Sequence, residues 1–221
     1  CDFAASADDQ LMSLSDVEAA ASRSYKPKSM NYAPRIMGVD PARFGDDRSV
    51  IVKRQGLQMF DPIVARGLDN MALAELVAEH IDQWQPEGVF IDAGGGAGVI
   101  DRLRQLNFSV IEVNFGGRAM NARYVNKRTE MWWDMGEAIK ANLAIPNIQD
   151  LKVELATPTY KFDAANRVKL ESKDEIRKRL PDSGSPDIAD ALALTYAMPV
   201  KSRGDVKMLR ADHDYDPYAN V

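Results

Sequence analysis

Four aspartates carry most of the chemistry in this sequence. Asp40 closes the apolar run Ile36-Met37-Gly38-Val39, and Asp92 closes Val89-Phe90-Ile91. Both runs read as buried strands, so each carboxylate stands at a strand's C-terminal end, where open α/β sheets place their ligands. Asp187 and Asp190 are three residues apart at the start of an apolar helical stretch and share one helix face. Taken singly, each has a plain explanation: a strand-end aspartate forms turns, and Asp-x-x-Asp at a helix start caps the helix and complements its dipole. Taken together, four acids repel too strongly to converge without cations. With oxygen donors and no Cys or His nearby, Mg2+ or Mn2+ is expected rather than Zn2+. Two such ions, about 3.5–4 Å apart, can activate water and stabilise the leaving oxygen of a phosphodiester. His80 lies on an apolar helix face and His213 in the C-terminal tail, so neither is placed as a general base, and no Ser or Cys nucleophile with a His partner stands out.

The intervening chain has to bring these acids together. The pattern predicts a strand over 35–40, a turn at Phe44-Gly45-Asp46-Asp47, a strand over 49–54 and a turn at Gln55-Gly56. A third strand follows over Leu57–Ala65, with Pro62 favouring an edge. Leu73, Leu76, Val77, His80, Ile81 and Trp84 recur at helical spacing and predict a helix over 70–84. The strand ending at Asp92 leads into Ala93-Gly94-Gly95-Gly96-Ala97-Gly98, then a helix through Val99, Leu103 and Leu106, then a strand over 109–113. The glycine run fits either a tight strand-to-helix turn or a backbone contact to phosphate. Its spacing matches neither the dinucleotide fingerprint nor a P-loop. The β-β-β-α-β-α-β order implies a mixed five-stranded sheet flanked by helices, with the Asp92 strand parallel to and beside the Asp40 strand. Beyond it, a helix is expected over 125–142, a short helix and a hairpin through Tyr160–Leu170, and a helix over 173–180 capped by Ser172. After the Pro181–Pro186 breaker, a helix over 187–198 turns Ile188, Ala191, Leu192 and Thr195 inward. Residues 1–33 read as an appendage with a short helix capped by Ser13 or Ser15, 34–198 as the α/β domain, and 199–221 as a polar, loosely ordered tail.

Composition sets outer limits. A chain of 221 residues with 45% hydrophobic and 28% charged residues suits one soluble α/β domain with short additions. The apolar runs are too short to span a bilayer, and no basic segment leads into an apolar one at the N-terminus, so no membrane partner is expected. The single cysteine, Cys1, excludes an internal disulfide and fits a reducing compartment. A net charge of −5 points mildly away from nucleic acid, but the charge is uneven. Arg118, Arg123, Lys127 and Arg128 form one basic cluster. Lys161, Arg167, Lys169, Lys173, Arg177, Lys178 and Arg179 form a second, interrupted by acids. Each is either a solvated face or a phosphate-backbone contact, with Lys127, Arg128, Lys169 and Lys173 as the candidate DNA contacts.

Several of these segments resemble the nuclease domain of tailed-bacteriophage large terminases. Met37-Gly38-Val39-Asp40-Pro41-Ala42-Arg43-Phe44-Gly45-Asp46-Asp47 and Phe90-Ile91-Asp92-Ala93-Gly94-Gly95-Gly96 are two. Asn126-Lys127-Arg128-Thr129-Glu130-Met131-Trp132-Trp133 is a third. The strongest is Lys169-Leu170-Glu171-Ser172-Lys173-Asp174-Glu175-Ile176-Arg177, followed by Ser185-Pro186-Asp187-Ile188-Ala189-Asp190-Ala191-Leu192. Together they cover about residues 35–198 in order. The resemblance implies an RNase H-like fold and metal-dependent cleavage of double-stranded concatemeric DNA during genome packaging, in the host cytoplasm. It implies catalytic and metal-binding roles for Asp40, Asp92 and Asp187, with Asp190 a further ligand or supporting acid. It also implies that residues 1–33 lead from an upstream packaging ATPase, and that portal protein and the small terminase subunit are partners of the longer protein. The link Lys178–Gly184 is longer than the family's usual one. Two rivals stand beside this reading. One is an actin-like ATPase, which needs a second duplicated half; the other is a non-catalytic DNA-binding or portal-docking module that keeps only the fold.

Overall fold

Burial is unbroken from Ile36 to Asp40 along β1 (Arg35–Asp40), as a central strand covered on both faces requires. In the computed structural model, which describes residues 9–42, 48–180 and 184–202, β1 is the axis of the sheet. The expected turn at Phe44–Asp47, part of the Lys178–Gly184 link, the tail beyond Ser202, Cys1 and His213 lie outside the described residues. β2 (Arg48–Gln55) pairs antiparallel with β1, setting Asp40 opposite Val50. On the other side β5 (Gly88–Asp92) pairs parallel with β1, Val39 beside Ile91, and β6 (Ile111–Val113) pairs parallel with β5. Asp40 and Asp92 therefore end neighbouring strands at the same level, about 4.8 Å apart in backbone spacing.

The strand expected over 57–65 is two strands. β3 (Gln58–Met59) and β4 (Ile63–Arg66) both pair antiparallel with β2, one near Arg54 and the other beside Arg48–Ile51. Pro62 has no N–H to give to the ladder, so the edge breaks there. The sheet thus has six strands rather than five, in the order β3-β2-β1-β5-β6 with β4 also on β2. A second correction concerns the glycine run, which is no loop. α3 (Ala93–Gln105) begins directly after Asp92, and the glycines form its first turns. A Cβ at Gly96 would stand 2.9 Å from Pro41 Cγ and 3.0 Å from Ile91 Cγ2, and one at Gly98 would run into the Asn70 amide. Close packing outweighs the helix cost of glycine, about 1 kcal/mol each.

α3 and α2 (Asn70–Trp84) cover one sheet face, where Leu73, Val77, Val99 and Leu103 pack with Met37, Val39, Val89 and Ile91. The other face is covered by α4 (Lys127–Ala141) and α7 (Asp187–Leu194), with α1 (Leu14–Ser22) and α5 (Gln149–Ala156) around them. Every residue of α7 is buried, so it is a core helix and not a one-sided amphipathic one. It ends at Leu194, short of the expected Met198: the amides of Thr195, Tyr196 and Ala197 bond to carbonyls three residues back instead of four, and Arg54 donates to both the Thr195 hydroxyl and its carbonyl. α1 opens with a Ser13–Asp16 capping box, and Leu11, Met12, Val17 and Ala20 sit in the main core. Part of the stretch read as an appendage is therefore packed into the same core as the sheet. β7 (Tyr160–Phe162) and β8 (Val168–Leu170) form a separate hairpin, and α6 (Lys173–Arg179) follows with a Ser172–Glu175 capping box. Among the described residues no helix is long and apolar enough to cross a membrane.

Candidate active site

Sheet register and one close approach bring the acids together. β1 and β5 deliver Asp40 and Asp92 side by side, both buried. α7 crosses the sheet against β1 at Gly38, where a Cβ would collide with the Ala191 carbonyl and lie 3.1 Å from Leu194 Cβ. Without that glycine the helix could not lie so close, and its first turn would not reach the end of β1. The first turn carries Asp187 and Asp190 to Asp40, and all meet one cation. The Lys173 ammonium, from the first position of α6, lies 3.4 Å from Asp40 Oδ2, 3.7 Å from Asp187 Oδ1 and 2.9 Å from Asp190 Oδ2.

The four acids differ in their surroundings. Asp190 is fully buried, and its Oδ1 accepts from Trp132 Nε1 at 2.6 Å and Arg128 Nε at 3.0 Å. Burial alone would raise its pKa, but Arg128 and Lys173 outweigh it and hold the carboxyl below the usual range. Asp40 goes the other way. Burial, together with the charges of Asp190, Asp92 and Asp187, pushes it up to about 8 in spite of Lys173. Burial also works against the charge on Lys173, yet the surrounding carboxylates raise its pKa and keep it protonated. Lys173, Arg128 on Asp190 and Arg48 on Asp187 set three cations against four acids, so the formal charge of the cluster stays one short of balance.

Asp40, Asp92, Asp187 and Lys173 line a cleft of about 490 Å3. Among the described residues no three His, Cys, Asp or Glu side chains stand in ready-made ligating geometry, and Lys173 holds the centre of the acids. Their chemistry nonetheless suits hard divalent cations: carboxylate oxygens from two strands and a helix, beside an open cleft, with excess negative charge.

The basic candidates separate. Lys127 is held 2.7 Å from Glu130, which also accepts from the Met120 and Asn121 backbone, so it anchors the 117–124 loop. Arg128 is buried on Asp190 and the Glu171 carbonyl. Lys173 stands among the acids. Of the four, Lys169 lines the cleft without an ion pair among the described residues, and Arg177 joins it on the rim. Sequence reasoning missed Trp132 as a donor, and missed Arg48, which holds Asp187 Oδ2 at 3.3 Å. Trp132 and Arg128 do stand four residues apart, a spacing that puts both on the face that meets Asp190.

No protein-family profile and no curated protein sequence matches this chain. Solved structures do. The nuclease domain of the large terminase subunit gp2 of bacterial virus Sf6 superposes with a TM-score of 0.68 at 17% identity, over 86% of this chain and 99% of that one. Its K428A mutant with manganese and beta-thujaplicinol gives 0.72 at 17%, over the same shares. The large terminase nuclease of thermophilic phage G20c with bound magnesium gives 0.58 at 15%, over 80% of this chain and 86% of that one. At such identities the likeness establishes architecture: this chain has the RNase H-like fold found in the nuclease domains of large terminases.

Proposed function

We propose that this chain is a metal-dependent endodeoxyribonuclease that cuts concatemeric double-stranded DNA during viral genome packaging. The observation that carries this reading is the convergence of Asp40, Asp187 and Asp190 on one cationic point, with Asp92 on the adjoining strand end. The fold supports it, because solved domains of the same architecture are nucleases, with manganese in one and magnesium in another. Two Mg2+ or Mn2+ ions would supply an attacking water and neutralise charge developing at the phosphodiester. Asp40, Asp92 and Asp187 are the residues to hold them. Asp190, occupied by Trp132 and Arg128, supports the group and holds the start of α7 against α4. Lys173 offsets part of the charge of the acids; on the first turn of α6 its side chain, 30% exposed, can withdraw toward the cleft as an ion binds. Lys169 and Arg177 meet the duplex backbone at the rim. Partners are DNA and, through a longer protein in the host cytoplasm, the portal protein and small terminase subunit.

The test is cleavage of supercoiled and linear plasmid in Mn2+ or Mg2+, with a chelator control. The parent is expected to degrade both, and Asp40→Asn and Asp92→Asn to degrade neither. Undiminished cutting by both purified variants, free of contaminating nuclease, overturns the assignment.

A further inference from the structure

Arg48 opens β2, and every nitrogen of its guanidinium is engaged. Nε donates to Asp187 Oδ2 at 3.3 Å, and Nη1 to Asp150 Oδ2 at 3.3 Å. Nη2 donates to Glu154 Oε1 at 2.7 Å and to the Ser185 carbonyl at 3.1 Å. Asp150 is largely exposed and contributes little, whereas Glu154 is buried and its contact is a strong charge-assisted one.

Glu154 completes the device. Pro186 holds the N-cap position of α7 and offers no side-chain acceptor. From α5, Glu154 Oε2 supplies one instead, accepting the Ala189 backbone N–H at 2.9 Å. Arg48 and Glu154 together therefore hold the Ser185 carbonyl, the Asp187 side chain and the Ala189 amide, three points at alternate residues along the entry to α7. The effect on Asp187 is asymmetric. Its Oδ2 is taken by Arg48, while its Oδ1 faces the centre of the acid cluster, 3.7 Å from Lys173 Nζ.

We propose that Arg48 is a positioning residue for Asp187: it occupies Oδ2 and presents Oδ1 alone to a divalent ion, making Asp187 a one-oxygen ligand of fixed direction. This rests on the reading of the acids as metal ligands. A purely structural Arg48 would tie β2, α5 and α7 together without acting on ion affinity. A positioning Arg48 acts on that affinity, as outer partners of metal ligands do.

The experiment measures Mn2+ binding by titration calorimetry on variants shown by circular dichroism to be folded, alongside kcat and KM on plasmid. In Arg48→Met the Mn2+ Kd is expected to rise about 10–100-fold and kcat to fall, with KM for DNA little changed. Arg48→Lys keeps the charge but loses the planar fork, so it should fold even if Arg48→Met does not, and recover only part of the Mn2+ affinity. Parental Mn2+ affinity in a folded Arg48→Met or Arg48→Lys overturns the positioning role alone. A parent protein that binds no Mn2+ overturns the metal-site reading, and this inference with it.

Discussion

Alanine at Gly38 perturbs the site without touching a carboxylate, and the structure sets the size of the effect. The new methyl would collide with the Ala191 carbonyl, a backbone atom inside a fully buried helix, and would sit 3.1 Å from Leu194 Cβ. Neither neighbour can rotate away, because one is main chain and the other is a Cβ. Bringing the methyl out to an optimal separation of about 3.5 Å requires α7 and β1 to part by about 1.5 Å. Overpacking of this kind costs about 1–3 kcal/mol. For a domain of this size that lowers Tm by roughly 2–12 °C, at about 2–4 °C per kcal/mol. The larger effect should be functional. α7 carries Asp187 and Asp190, and a 1 Å misplacement of reacting groups can cost about 100-fold in rate. Gly38→Ala should therefore remain folded at 25 °C by circular dichroism yet cleave plasmid about 100-fold more slowly in Mn2+. Parental Tm together with parental cleavage would refute the claim that this close approach seats the acids.

Two further predictions use charge. Glu175 is held down to about 2, first by the hydrogen bond from Lys161, then by the Ser172 backbone and hydroxyl at the start of α6. A depressed carboxyl stabilises the fold above its ordinary pKa of 4.5, and that contribution is lost as pH falls from there toward about 2. Since the Lys161 and Glu175 side chains are 58% and 37% exposed, solvent screening keeps the gain small. Glu175→Gln should melt about 1–2 °C below the parent at pH 7, the gap closing by about pH 2–3; a gap independent of pH would refute the linkage. The second concerns DNA binding in calcium or chelator, measured against salt. Lys169→Ala should lower the slope of log affinity against log salt by about 1. Lys127→Ala should leave it unchanged, because that ammonium is already held by Glu130; equal slopes for the two variants would place the duplex elsewhere.

What sequence patterning could resolve follows from which interactions are local. The adjacency of Asp40 and Asp92 was legible because two short apolar runs joined through a helix form parallel strands, and parallel register puts their last residues side by side. The Ser172–Glu175 box was half legible, through Ser172 as the cap, because capping spans three residues. Pro62 showed an edge but not that the edge would split. The glycine run was misread because its helical state depends on contacts with Pro41 and Asn70, far away in sequence. Burial of Arg128 was hidden for a related reason. Arginine is seldom buried without a partner, so a basic residue in a basic cluster reads as surface until Asp190, 62 positions later, is set against it. The same holds for Lys173. A lysine beginning a capped helix in a basic stretch reads as a phosphate contact, but the turn from β8 into α6 points it at Asp40, Asp187 and Asp190 instead. For Arg128 and Lys173 alike, a charge was judged by its sequence neighbours, while its partner came from another element. A cluster of acids this dense calls for positive charge among them, and only the fold determines which basic side chain supplies it.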